Sequence, residues 1–135
     1  MFLPVPEKEW RMGSRILIVD DEADIAKLLQ YRLELKGYEV DVCSSGGQAL
    51  DEIARNDYAL VLLDFFLPSL RGDTVCRQIR TDEHSKHLPI IIMTAFNNYP
   101  ENFFTECGAT DVLYKPFEVD DLAAKMQKYI TPVEE

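Results

Sequence analysis

Polar residues that could perform chemistry stand at the ends of apolar runs in this sequence. Asp64 ends the run YALVLLD, and Asp20 and Asp21 directly follow RILIV. An ionised carboxylate beside buried strands is costly unless a partner compensates its charge. Neighbouring carboxylates also raise one another's pKa values unless a cation lies among them. Such oxygen donors, completed by a backbone carbonyl and water, suit Mg²⁺, and a carboxylate beside that ion can act as a nucleophile toward a phosphoryl group.

Two further polar residues follow apolar runs. Thr94, after LPIIIM, offers a hydroxyl donor, and Lys115, at the end of TDVLYK, offers a positive charge; both suit phosphoryl oxygens. Each residue alone also has an ordinary explanation, since Asp21 could cap a helix, Thr94 could end a strand and Lys115 could lie in a solvated loop. Because four separate runs supply matching chemistry, the pattern favours a functional site. No glycine-rich loop follows the first run, which argues against a nucleotide phosphate site.

The order of strands and helices determines where these residues meet. Predicted strands lie in RILIVDD, YEVDV, YALVLLD, LPIIIMTAF and TDVLYKPF. YEVDV alternates, as expected for an edge strand with one wet face, whereas YALVLLD and LPIIIM are nearly continuous apolar runs, as expected for strands buried on both faces. Five strands alternating with five helices predict a doubly wound α/β fold with a parallel sheet. Ligands bind beyond the carboxyl ends of such strands, where the polar residues converge.

Apolar residues at helical spacing are predicted to face the sheet. They are Ile25, Leu28, Leu29 and Leu33 in the first helix, Ala49, Leu50 and Ile53 in the second, Val75, Cys76 and Ile79 in the third, and Val119, Leu122, Ala123, Met126 and Ile130 in the fifth.

The fourth helix, in YPENFFTECG, is predicted to be brief, with Pro100 at its first turn and Gly108 past its end. Two alternatives exist for its aromatic pair. Either Phe103 or Phe104 is exposed and marks a contact surface, or both rings pack beneath the helix.

Composition narrows the class of protein. The net charge is −10, from 24 acidic and 14 basic residues, which argues against nucleic-acid binding by this chain. No apolar run approaches a membrane span, and MFLPVPEKEWRMGS lacks the pattern of a signal peptide. The cysteines, Cys43, Cys76 and Cys107, form no CxxC pair and are expected to be reduced thiols. We expect one cytoplasmic domain over 15–130, an N-terminal extension over 1–14, and a tail or linker start over 131–135.

Several motifs together resemble the receiver domain of two-component response regulators. They are ILIVDDE, then LLDFFLPSLRG matching D-x-x-x-P-x-x-x-G, then MTA and KPF, and the resemblance covers Arg15 to about Ile130. It implies a flavodoxin-like fold with strand order 2-1-3-4-5. It also implies that Asp64 accepts a phosphoryl group from the phosphohistidine of a sensor histidine kinase or a phosphotransfer protein. The chain would then be a signalling module with intrinsic self-phosphorylation and self-dephosphorylation chemistry, and not an enzyme.

The resemblance assigns further roles residue by residue. Asp21 and Asp64 would bind Mg²⁺, or Mn²⁺, together with the backbone carbonyl of Phe66, and Asp20 would hold a metal-bound water. Thr94 and Lys115 would hold the phosphoryl oxygens. Pro116 would follow a cis peptide bond. A homodimer through the fourth helix, fifth strand and fifth helix would be a partner arrangement typical of the family.

The sequence departs from the family pattern in two places. One is the aromatic residue that changes position on phosphorylation (the switch), and the other is the pair of positions that border the phosphorylation site (the rim). The switch aromatic usually stands three residues before the lysine, where this chain has Val112; Tyr114, one residue before Lys115, shares its strand face. Phe66 and Phe96 occupy rim positions that are often polar in the family. Two rings flanking the phosphoryl group would exclude the hydrolytic water, unless they turn away and pack on the helices.

Alternative functions remain open at this point. A degenerate or atypically switching receiver could act only as an interaction scaffold. A phosphohydrolase of the haloacid dehalogenase type would form the same aspartyl phosphate, but it needs a second Asp where Phe66 stands. The sequence names no kinase and does not decide whether the domain is free-standing or cut from a longer protein.

Overall fold

The chain alternates strands and helices throughout the residues that the structure, a computed structural model, describes, which are 15–100 and 102–130. Its strands are β1 (Arg15–Val19), β2 (Glu39–Cys43), β3 (Leu60–Asp64), β4 (Ile90–Thr94) and β5 (Asp111–Tyr114). Its helices are α1 (Ala23–Leu35), α2 (Gly46–Arg55), α3 (Gly72–Thr81), α4 (Phe103–Glu106) and α5 (Val119–Met126). The predicted extension over 1–14 and tail over 131–135 lie outside the described residues.

The strands form one parallel sheet in the order β2-β1-β3-β4-β5, which confirms the predicted fold. All side chains of β3 and β4 are buried, because helices cover both faces of these central strands. Strand β2 lies at the edge, as its alternation predicted, and buries Val40 while Glu39 and Asp41 stay partly exposed. The chain order therefore reverses beside β1, which leaves a crevice at the carboxyl ends of β1 and β3.

Apolar side chains pack on both faces of the sheet. On one face α2, α3 and α4 cover a cluster that includes Phe65, Val75 and Phe104. On the other face α1 and α5 cover a cluster that includes Leu33 and Met126. Each fully buried side chain of this size contributes about 1.5–3 kcal/mol to folding. These two layers hold the strand ends, and so the polar residues, in fixed positions.

Helix α1 buries a narrower face than predicted. Its buried residues are Ala26, Leu29 and Leu33, whereas Ile25 and Leu28 are exposed. Successive residues turn about 100° around a helix, so residues immediately before Ala26 and Leu29 point well away from the sheet. The prediction that Ile25 and Leu28 face the core is therefore wrong. In α2, Leu50 is only partly buried.

Helix α5 ends earlier than its apolar spacing suggested. The spacing extended to Ile130, but the helix ends at Met126. After Met126 the backbone changes to the tighter hydrogen bonds of a 3₁₀ turn, since the N–H groups of Lys128 and Tyr129 donate to carbonyls three residues back. The Tyr129 hydroxyl also donates to Asp111 at the start of β5, at 2.8 Å. Ile130 still packs, partly buried, on the cluster beneath α1 and α5.

Helix α4 is a single short turn that begins three residues after Pro100. Phe104 is 1% exposed, and Phe103 is partly buried against the same cluster. The alternative in which both rings pack beneath the helix is therefore the one observed, completely for Phe104 and in part for Phe103. Gly108 follows with φ +105°, and a Cβ there would approach Arg80 Cγ to 2.8 Å. Glycine thus permits both the turn and the close packing of Arg80.

Candidate functional site

The polar residues predicted from the sequence meet at the carboxyl ends of the strands. Asp20 follows β1, Asp64 and Thr94 end β3 and β4, and Lys115 follows β5. Backbone bonds extend the sheet to this rim. The N–H of Asp20 donates to the carbonyl of Cys43 at 3.1 Å, and the N–H of Lys115 donates to the carbonyl of Thr94 at 2.8 Å. The backbone of the sheet therefore determines the positions from which these side chains extend.

Three carboxylates form an acidic cluster at the centre of the rim. Asp20, Asp21 and Asp64 each offer a carboxylate oxygen, and these oxygens all lie within 4.8 Å of one another. Asp20 and Asp64 are buried, whereas Asp21 is exposed. Asp20 Oδ1 also accepts the backbone N–H of Glu22 at 2.9 Å, which fixes the direction of its carboxylate. The cluster thus contains two buried carboxylates and one solvent-accessible carboxylate.

Lys115 supplies the positive charge that faces this cluster. Its Nζ donates to Asp64 Oδ1 at 3.2 Å and lies 3.7 Å from Asp20 Oδ2. Burial lowers the pKa of Lys115, but the carboxylates of Asp64 and Asp20 outweigh burial and leave that pKa above its usual value. Lys115 is therefore an ammonium group at neutral pH.

Asp64 has a perturbed pKa because of the same surroundings. Burial is the main cause that raises the pKa of Asp64 to about 6; the charges of Asp20 and Asp21 act in the same direction, and Lys115 opposes the rise. One ammonium group thus faces three carboxylates. The donor set consists of oxygen atoms and carries negative charge that Lys115 compensates only in part, so it fits a hard divalent cation. Phe66 lies in the loop after β3, and its carbonyl as a further ligand stays a prediction.

Thr94 is buried beside this cluster. Its Oγ1 accepts the backbone N–H of Phe96 at 3.0 Å, which leaves the hydroxyl proton free for donation. The peptide bond between Lys115 and Pro116 is cis.

The rings of Phe66 and Phe96 contact each other and are partly exposed, and their exclusion of the hydrolytic water stays a prediction. Phe66 is 49% exposed and Phe96 is 43% exposed, and their ring centroids are 5.6 Å apart at an angle of 71°. Val112 packs, partly buried, on the α4 side of the sheet. Tyr114 is paired in register with Thr94 at the end of β5 and is 44% exposed.

Two aromatic residues near the site, Phe65 and Tyr99, were not predicted from the sequence. Phe65 is fully buried and contacts the rings of Phe66, Tyr99, Phe103 and Phe104, while Tyr99 stacks on Phe103 at 4.3 Å. The signal that could have found them is the density of aromatic residues just after the third and fourth apolar runs. These two segments lie near each other in the predicted fold, but their aromatic content alone does not show which rings are in contact.

The geometry agrees with comparisons to known proteins. The sequence profile described as "Response regulator receiver domain" matches residues 16–127. YkoG of Bacillus subtilis (strain 168), an uncharacterized transcriptional regulatory protein, is 42% identical over 116 residues, which are 84% of this chain and 50% of YkoG. The chain therefore spans about half the length of such relatives.

Solved structures give the same result. A putative response regulator from Chloroflexus aurantiacus J-10-fl superposes with a TM-score of 0.80 at 35% identity, over 86% of this chain and 96% of that one. The response regulator TrrA from Thermotoga maritima, in complex with Mg²⁺ and BeF, gives 0.78 at 35% identity, over 86% and 98%. None of the described helices is long and apolar enough to cross a membrane. With its sheet order and rim residues, the chain belongs to the receiver domain family of two-component response regulators.

Proposed function

We propose that Asp64 is the phosphoacceptor of this receiver domain and takes its phosphoryl group from a phosphohistidine. The donor would be a sensor histidine kinase or a histidine phosphotransfer protein. The observation that carries the proposal is a buried carboxylate, Asp64, which lies 3.2 Å from the ammonium group of Lys115 and within a cluster of two further carboxylates. A carboxylate held in this way is a nucleophile with its charge partner already in place.

In the proposed transfer, an Asp64 oxygen attacks phosphorus and forms the new O–P bond. The P–N bond to the donor histidine breaks, its electron pair returns to the imidazole nitrogen, and that nitrogen takes up a proton from solvent. Lys115 Nζ pairs with a phosphoryl oxygen once the charge of Asp64 has been consumed. The hydroxyl of Thr94 donates to another phosphoryl oxygen. These two groups stabilise charge on the transferring group without reacting themselves.

We assign a Mg²⁺ site, which Mn²⁺ could also fill, to Asp20, Asp21 and Asp64, with the carbonyl of Phe66 as a further donor. The bound ion would neutralise carboxylate charge that otherwise repels an incoming phosphoryl dianion. Asp21 is the exposed member of the cluster, so it leaves an open path for the ion. Asp20, fixed by its bond from Glu22, would orient a water on the ion.

The domain would act as a phosphorylation-controlled signalling module over residues 15–130 in the cytoplasm. Its partner surface would include α4, β5 and α5, and a second copy of the chain is the simplest partner. The family match disfavours the phosphohydrolase alternative, which lacks its second acid at Phe66. An atypical switch retains support, because Val112 is not aromatic and Tyr114 stands nearer to Lys115.

The test is phosphorylation with acetyl phosphate, followed by intact mass measurement. We expect a gain of one phosphoryl group that requires Mg²⁺ and disappears with a chelator. Asp64→Asn should abolish the gain, whereas Asp24→Asn, an exposed acid in the first turn of α1, should not. Unchanged labelling of Asp64→Asn would mean that another residue is the nucleophile.

A further inference from the structure

An aromatic arch, formed by Phe66, Phe96 and Tyr99, connects the two loops that flank Asp64. Phe66 lies in the loop after β3, and Phe96 and Tyr99 lie in the loop after β4. The ring centroids of Phe66 and Phe96 are 5.6 Å apart, and those of Phe96 and Tyr99 are 5.7 Å apart. Phe96 is therefore the central ring of the arch.

Both ends of the arch rest on the core. Phe66 and Tyr99 contact the ring of Phe65 edge-on, at centroid distances of 4.8 and 5.4 Å. Phe65 is completely buried. Tyr99 also stacks on Phe103 with an interplanar angle of 19°. Tilted and edge-on ring pairs prefer particular relative orientations, so the two anchored rings restrict where Phe96 can lie.

The backbone of Phe96 touches the site directly. Its N–H donates to Thr94 Oγ1 at 3.0 Å. A threonine hydroxyl that accepts this bond keeps one side-chain rotamer and still has its own proton to donate. The position of the Phe96 N–H thus decides in which direction the Thr94 hydroxyl is offered. Residues 95–98 are all exposed, and the ring of Phe96 connects this part of the loop to Phe66 and Tyr99.

We propose that Phe96 is a positioning residue for phosphoryl transfer, acting through Thr94. Its ring, held between Phe66 and Tyr99, keeps its N–H against Thr94 Oγ1, and the hydroxyl is thereby presented to the phosphoryl group on Asp64. The inference rests on the proposed function, in which Thr94 donates to a phosphoryl oxygen. Loss of the ring frees the loop and the Thr94 side chain, and it leaves the carboxylate cluster unchanged.

The experiment is a double-mutant cycle on the initial rate of phosphorylation by acetyl phosphate with saturating Mg²⁺. Phe96→Ala should lower the rate by about threefold to tenfold, a modest loss for a misplaced donor. Phe96→Tyr keeps the ring and should restore most of the rate. In a Thr94→Val background, Phe96→Ala should have no further effect, because the group that it positions is already gone. Calorimetric Mg²⁺ affinity should be the same in all four proteins.

Each other outcome has a definite meaning. An equal loss from Phe96→Ala with and without the Thr94 hydroxyl, or no loss at all, overturns the inference while the proposed function stands. A parent protein that gains no phosphoryl group overturns the proposed function and the inference with it. A Thr94→Val variant as fast as the parent overturns the role of the Thr94 hydroxyl and with it the inference, while Asp64 as phosphoacceptor is decided by Asp64→Asn. If Phe96→Ala does not fold, Phe96→Leu serves in the same cycle, since it also removes the ring contacts.

Discussion

At the scale of single residues, Asp64 is held in a state that costs free energy until something binds to it. Its carboxylate is buried beside Asp20 and Asp21, and burial together with these charges raises its pKa to about 6. Lys115 compensates only part of that cost. Ionised Asp64 therefore destabilises the fold. The same repulsion favours binding of a cation or a phosphoryl group at Asp64, because either one relieves it.

This strain has a measurable effect on stability. Since the pKa of Asp64 is raised in the folded state, its contribution to stability is fully present below about pH 3.8 and is lost as the pH rises through about 6. Asp64→Asn should therefore unfold with a higher free energy than the parent at pH 7 without divalent cations, by on the order of 3 kcal/mol. The difference should shrink toward zero at pH 4. Urea unfolding at both pH values measures it.

Mg²⁺ provides the control for that experiment. In the proposed site the ion would bind the folded parent through the carboxylate cluster, so adding it should raise the stability of the parent more than that of Asp64→Asn. Asp24→Asn, outside the cluster, should respond to pH and Mg²⁺ like the parent. An Asp64→Asn variant that is less stable than the parent at pH 7 without Mg²⁺ would contradict the electrostatic account.

Lys115 offers a second residue-scale prediction. Its ammonium group pairs with the carboxylates that would hold the cation, and a positive side chain cannot itself ligate Mg²⁺. Lys115→Ala should therefore keep or increase Mg²⁺ affinity in calorimetry, while it lowers the rate of phosphorylation and the conformational response to it. Lys86→Ala, which removes a surface pair with Glu83, is the matched control. A large loss of Mg²⁺ affinity in Lys115→Ala would refute this role.

At the scale of elements, the loops after β3 and β4 determine how water reaches the site. The rings of Phe66 and Phe96 meet edge-on and remain about half exposed. Neither ring carries a hydrogen-bonding group, so neither can orient a water for attack on an aspartyl phosphate. Two rings that border the phosphoryl group would also exclude such a water. We therefore predict a long-lived phosphorylated state.

The lifetime can be tested at Phe66, which does not contact Thr94 through its backbone N–H as Phe96 does. Phe66→Asn introduces a polar group at the rim, and phosphorylated Asp64 should then decay several-fold faster after removal of the donor. Phe66→Leu keeps an apolar side chain of similar bulk and should decay more nearly at the parent rate. Decay is followed by intact mass. If Phe66→Asn and Phe66→Leu decay equally, the polarity of this position does not control hydrolysis.

Some elements could be predicted from the sequence alone, whereas the packing of others depended on residues far away in the sequence. The continuous apolar runs of β3 and β4 sufficed to predict central strands, because such strands have no polar face. Helix periodicity did not reveal that Ile25 and Leu28 would be exposed, since it reports an apolar side of α1 and not how closely the helix approaches the sheet. It also could not show that Phe104 would lie beneath α4, where Phe65 from another element receives it.

At the scale of the whole molecule, the site could be predicted because topology brings strand ends together. Parallel strands have their carboxyl ends at one edge, so residues far apart in sequence, such as Asp20, Asp64 and Lys115, had to converge once the α/β order was recognised. Distances such as the 3.2 Å between Lys115 and Asp64 required the structure. The aromatic arch required it as well, because ring contacts between loops leave no periodic signal.

The proposed partner surface consists of α4, β5 and α5. Because Phe103 and Phe104 pack beneath α4, neither ring supplies a fully exposed aromatic contact on this surface. On α4, β5 and α5, the exposed aromatic side chain is Tyr114, at the end of β5 beside Thr94. A homodimer through this surface should bury Tyr114, so Tyr114→Glu should weaken self-association by placing a charge in the interface. Tyr31→Glu is the matched control, because Tyr31 is 60% exposed on α1, outside the surface.

Sedimentation velocity at high protein concentration, with and without Mg²⁺ and beryllium fluoride as phosphoryl analogue, measures the association. We expect the parent and Tyr31→Glu to dimerise more strongly with the analogue, and Tyr114→Glu to remain mostly monomeric. We expect the dependence on the analogue because Tyr114 pairs in register with Thr94, so a shift of Thr94 toward the analogue would alter the position of Tyr114. A parent protein that is monomeric under both conditions excludes the homodimer. Dimers of Tyr114→Glu as strong as those of the parent would place the interface elsewhere, with the apolar residues exposed on α1 as the next surface to mutate.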